Sequence, residues 1–142
     1  MLDALRLKGC VTMNSFTDTM IFVGGVFNLG FVIFHLMFWR LFRWREDLAS
    51  LTLINRSVMQ ILNLCVTFVF LAMAYVSFFH RPELVQTSLG KTILVAFSLF
   101  WFLRMVEQVV FFGVKTKVSA TFTLVFLVGG VVYLVPALQT RL

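Results

Sequence analysis

Arg104, Glu107 and Gln108 stand inside the stretch Phe100–Gly113, FWFLRMVEQVVFFG, which is otherwise almost wholly apolar. A charge held at bilayer depth costs on the order of 2.5–3.5 kcal/mol on insertion scales, so it must face a partner group or a wet cavity. At i, i+3 the guanidinium and the carboxylate would meet on one helical face. Such a pair has three uses. It can grip an anionic ligand, since the Arg fork takes a carboxylate bidentately. With His35 it can relay a proton. It can also close on itself and hold helices together.

Two further sets of polar residues follow helical spacing. Arg56, Gln60, Asn63 and Thr67 recur at four, three and four residues, a polar stripe on one face. Gly24, Asn28 and His35 fall at intervals of four and seven and share a face as well. Gly24–Gly25 would allow a neighbouring helix to come close.

The elements that must carry these residues are membrane spans. Of the 142 residues 61% are hydrophobic, 13% are charged and 18 are Phe. Mean hydropathy is +0.98. A soluble core of this size cannot hide so much apolar surface, so the apolar runs read as transmembrane helices. Spans are expected at about 19–39, 56–79, 88–112 and 118–138, within a single membrane domain over 1–142. Two Pro and eight Gly leave no room for a linker to a second domain. His80-Arg81-Pro82-Glu83 ends the second span, because Pro cannot continue a helix and biases Arg81 away from the helical region. Gly113 to Lys117 reads as a tight basic turn. The polar connection Arg40 to Asn55 carries Arg40, Arg43 and Arg45 around Trp44, with Leu48, Leu51 and Ile54 as an apolar edge on the membrane surface. Met1 to Ser15, with Asp3, Arg6 and Lys8, does not read as a cleavable signal; a short interfacial helix and a frayed end both fit.

A formal net charge of +6 does not point to nucleic acid, because the charges sit between apolar runs and not along a soluble stripe. The connections after spans one and three hold Arg40, Arg43, Arg45, Arg56, Lys115 and Lys117, six basic residues. The other side holds five: Arg6, Lys8, Arg81, Lys91 and Arg141. The first set is therefore expected in the cytoplasm, with both termini outside. At 1.5 Å rise per residue, His35, Gln60, Asn63, Arg104, Glu107 and Gln108 all lie within about 14 Å of that same face. The expectation is a one-sided polar pocket. The alternative is that these groups satisfy one another and only tie helices together.

Several chemistries are discounted. His35 and His80 belong to opposite leaflets, so bis-histidine haem ligation is not expected. One usable His and one usable carboxylate are too few for a metal site. Cys10 and Cys65 have no metal-type spacing and read as ordinary thiols. No phosphate loop, nucleotide fingerprint or Ser/His/Asp arrangement is present. A small proton-coupled carrier remains open, although the interrupted helices common in transporters are missing.

The second span reads Arg56-Ser57-x-x-Gln60-x-x-Asn63. The third reads Arg104-x-x-Glu107-x-x-x-Phe111, followed by Gly113, a basic turn and Ser119-x-x-Phe122. From about Trp39 to Phe122 this resembles the MAPEG family (membrane-associated proteins in eicosanoid and glutathione metabolism). These are four-span chains whose second and third spans carry R-A-x-x-N-x-x-E and R-x-x-H-x-x-x-Y. The resemblance implies a homotrimer with glutathione bound between neighbours near the cytoplasmic face. It also implies ligand-side roles for Arg56 and Arg104, and puts Lys117 near the family's activating arginine. A cation beside the bound thiol would lower its pKa from about 8.5. The family's Asn and Glu are Gln60 and Asn63 here, its His is Glu107 and its Tyr is Phe111. These departures remove a carboxylate and a hydroxyl donor, so a shared scaffold would carry lost or altered transferase chemistry.

The sequence thus points to an all-α, four-helix transmembrane bundle, oligomeric, with Arg56, Gln60, Asn63, Arg104, Glu107, Gln108, Lys117 and His35 as ligand-binding candidates. Its functions remain open among a MAPEG-like protein binding glutathione or a lipid-like acid, a non-enzymatic assembly subunit, and a carrier.

Overall fold

The computed structural model describes residues 14–139, which form helices and connecting turns with no strand among them. The N-terminal segment with its two alternatives, Cys10 and Arg141 lie outside the described residues. Four helices are long: α1 (Ser15–Leu36), α4 (Leu53–Phe79), α6 (Ser88–Phe112) and α7 (Lys117–Gln139). Between them lie three short ones, α2 (Phe38–Leu41), α3 (Trp44–Asp47) and α5 (Arg81–Gln86), and a 3-10 turn at Leu48–Ser50. The long helices have 22, 27, 25 and 23 residues and an apolar composition, while about 20 residues suffice for a hydrocarbon core of about 30 Å. Large apolar side chains such as Leu64, Phe68, Leu99 and Val110 stay exposed on them, as lipid permits and water does not. The chain is a multi-pass membrane protein.

Third and fourth spans fall where the apolar runs place them. The first starts four residues earlier than expected and stops at Leu36, so Trp39 belongs to α2 and not to the span. The expectation for Arg81 also changes. Helix α4 ends at Phe79, but Arg81 opens α5 with Pro82 in its first turn. There the missing N–H is one that has no intrahelical acceptor anyway, and no preceding turn exists for the ring to strike.

The chain falls into two compact units, and α1 contributes to both. Gly24–Phe79 is one. In it Gly25 lies so close to Phe78 that an added Cβ would stand 2.7 Å from the ring, and Phe31 packs on Phe70 with ring centres 5.4 Å apart. A chain of aromatic contacts then folds the connection back onto the end of α1. His35 stacks on Phe38 at 4.4 Å, Phe38 meets Trp44 at 5.5 Å, and Trp44 and Leu48 are buried. The stretch Leu48, Leu51 and Ile54 is therefore not a single surface edge, since Leu48 turns inward while Ile54 stays exposed.

The other unit takes the chain up to Val23 and from His80 onward. Its core is the α6–α7 pair. Trp101 stacks on Phe126, Phe97 meets Tyr133 edge-on, and the Ser98 hydroxyl donates to the Gly130 carbonyl at 2.9 Å. Thr87 caps α6 by accepting from the Gly90 amide, and Gly90 itself packs onto the backbone of Glu83 and Leu84. The start of α1 is pinned here by two contacts, Thr17 with Gln139 at 2.6 Å and Asp18 with Arg81 at 3.3 Å.

Candidate functional site

The eight candidate residues divide evenly between the units. His35, Arg56, Gln60 and Asn63 belong to the first; Arg104, Glu107, Gln108 and Lys117 belong to the second.

In the first unit His35 and Asn63 come together across 28 residues of sequence. The His35 Nδ1 lies 2.8 Å from the Asn63 Oδ1, and the Asn63 amide donates back to the His35 carbonyl at 3.3 Å. A single asparagine thus engages both a ring nitrogen and the backbone at the last turn of α1. With the Asn63 oxygen as acceptor, Nδ1 is the donor in this contact. Burial of the imidazole between Phe38 and Phe70 fixes its plane. Thr67 donates to the Asn63 carbonyl one turn on, a local back-bond.

Arg56 takes a different role from the one its spacing suggests. Its guanidinium reaches back to the carbonyls of Leu48, Ala49 and Leu51 at 2.8, 3.0 and 3.4 Å. Those carbonyls line the 3-10 turn and its exit, Leu48 also accepting the Leu51 amide, and the charged fork gathers all three. Arg56 is a clamp on its own connection. Gln60, one turn further along α4, is half-buried.

In the second unit the Arg104 Nη1 lies 2.6 Å from Glu107 Oε2, and its guanidinium sits 5.5 Å from the centre of the Phe126 ring. The pair therefore closes within α6, and α7 supplies the aromatic face. Both side chains remain more than one-third exposed. Gln108 donates to the Ser119 hydroxyl at 3.0 Å, and that hydroxyl donates to the Gly113 carbonyl, bridging the end of α6 to the start of α7. Gly113 makes this turn in a backbone conformation (φ 65°) that side-chain-bearing residues rarely adopt. Lys117 opens α7 and is exposed. Among the described residues no three His, Cys, Asp or Glu side chains gather as a metal site would require.

Sequence reasoning missed Ser119 as the partner of Gln108 and the turn carbonyls as the partners of Arg56. Ser119 was legible in principle, eleven residues from Gln108 across a glycine turn. The carbonyls were not, because only the fold turns them inward. Comparison with known proteins returns no matching family model, no matching curated protein and no matching solved structure.

Proposed function

We propose that this chain is a non-enzymatic multi-pass membrane subunit, whose polar groups join its own helices and whose activity lies in assembly within the bilayer. The reciprocal His35–Asn63 contact carries the reading. It consumes the one histidine and one of the three amides of the expected pocket in a tie between α1 and α4. Arg56 on the turn carbonyls and Gln108 on Ser119 support it, being spent on backbone and neighbouring side chains in the same way. Bonds of this kind contribute about 0.6 kcal/mol on average in membrane proteins, and several of them together fix which helices pack.

A second reading is favoured by Arg104 and Glu107. An ion pair within a span that stays over one-third exposed leaves the Arg fork accessible to an anionic group. On that reading the chain is a divergent MAPEG-like protein, a homotrimer that binds glutathione or a lipid-like acid near the cytoplasmic face. Lys117 would be a further cation on that reading, and altered transferase chemistry would follow from Glu107 and Phe111.

Thermal unfolding of the purified full chain with and without millimolar glutathione, in wild type and Arg104→Ala, separates the two. The subunit reading predicts no shift with glutathione and a weakened oligomer in Arg104→Ala. Ligand at 100 times its dissociation constant would add about 2.7 kcal/mol to the native state. A midpoint rise of that size, lost in Arg104→Ala while the oligomer survives, would overturn the subunit reading in favour of the glutathione site.

A further inference from the structure

The connection between α1 and α4 has a chemistry that the helix ties do not use. Arg43, the one described non-glycine residue with positive φ (48°), turns the chain between α2 and α3. That turn sends Trp44 and Leu48 inward and leaves Trp39, Leu41 and Phe42 exposed beside Arg40, Arg43 and Arg45. The cations differ in what they already hold. Arg43 is paired with Glu46 at 2.5 Å, and Arg56 is spent on the turn carbonyls. Among the described residues no ion pair or side-chain hydrogen bond engages Arg40 or Arg45. Asp47, exposed at the end of α3, is the one further acidic group on this connection.

Two uncommitted guanidinium groups flanked by exposed aromatic and aliphatic side chains match one environment closely. At the boundary between headgroups and acyl chains, Trp39, Leu41 and Phe42 leave water while a planar fork meets phosphate oxygens. A soluble anion would satisfy the charges and leave the apolar side chains wet. We propose that this connection binds anionic phospholipid headgroups, with Arg40 and Arg45 taking the phosphate and Arg43 serving only the turn. The proposal depends on the chain crossing a membrane and is independent of the subunit reading.

The test uses the detergent-purified full chain with added phosphatidylglycerol or phosphatidylcholine at equal molar ratio. Thermal midpoints report stabilisation, and native mass spectrometry counts lipids retained per chain. Phosphatidylglycerol is expected to stabilise more and to be retained preferentially. Apparent affinity for it should fall roughly fivefold for each of Arg40→Gln and Arg45→Gln. Arg43→Gln should keep the preference, and high salt should erase it. Equal effects of the two lipids would overturn the proposal, as would a preference that survives in the double variant or falls equally in Arg43→Gln. Inorganic phosphate reproducing the full stabilisation would overturn the lipid assignment in favour of a soluble anion. Lipid counting on the folded fraction keeps the result readable if the double variant loses stability.

Discussion

Residue identity alone does not say what a polar group in a span is for; its acceptor does. The family resemblance implies ligand-side roles for both Arg56 and Arg104, yet one holds three carbonyls of a turn and the other a carboxylate three residues away. The difference lies in what the backbone presents nearby, which no periodicity encodes. Gln108 gives a sharper case. Its amide donates to Ser119, whose own proton goes to the Gly113 carbonyl. Ser119 is buried, so Ser119→Ala removes the middle of that chain and strands the amide and the carbonyl together. A loss of about 1–3 kcal/mol is expected, read as a lowered chemical-denaturation midpoint in detergent. Ser119→Thr keeps the hydroxyl and should recover most of it. A neutral Ser119→Ala would mean the bridge does not contribute to stability.

Close approach at the level of helices is set by a few small residues. A Cβ at Gly90 would lie 2.2 Å from the Glu83 carbonyl oxygen and 2.5 Å from the Leu84 Cα, both backbone, so neither can swing away. Gly90→Ala should therefore cost about 3 kcal/mol and open the α5–α6 elbow. At Gly30, by contrast, nothing lies within 4 Å. Gly30→Ala should be neutral or stabilising by about 0.5–1 kcal/mol, since glycine inside a helix carries the larger entropy loss. Thermal midpoints of the two variants measured side by side check this, and equal effects would contradict it. The long helices were legible in the sequence because an uninterrupted apolar run of this length has few other solutions. Pro82 and Gly113 marked their ends for the same local reason. The short elements were not legible. Trp44 and Leu48 point inward only because Arg43 adopts a left-handed conformation, and an arginine gives no hint of that.

For the whole molecule, four apolar helices set where the chain lives, and exposed Leu, Val and Phe side chains along them meet lipid and not water. Depth along each helix follows from residue position at about 1.5 Å per residue, and this is what suggested that the polar groups lie toward the basic connections. Which groups meet was only partly readable. His35 and Asn63 shared a depth on paper and meet in the structure, whereas Arg56 and Thr67, on the same stripe as Asn63, make local bonds instead. The central claim is that such contacts join helices instead of waiting for a ligand. A double-mutant cycle on His35 and Asn63 tests it most directly. Unfolding free energies would be measured for the full chain, for His35→Leu, for Asn63→Leu and for the double variant, without any ligand added. A coupling of about 0.6–1.7 kcal/mol between the two positions is predicted, the range found for hydrogen bonds between membrane helices. Strictly additive losses, or single variants more stable than the wild type, would contradict the claim and leave both groups available for binding.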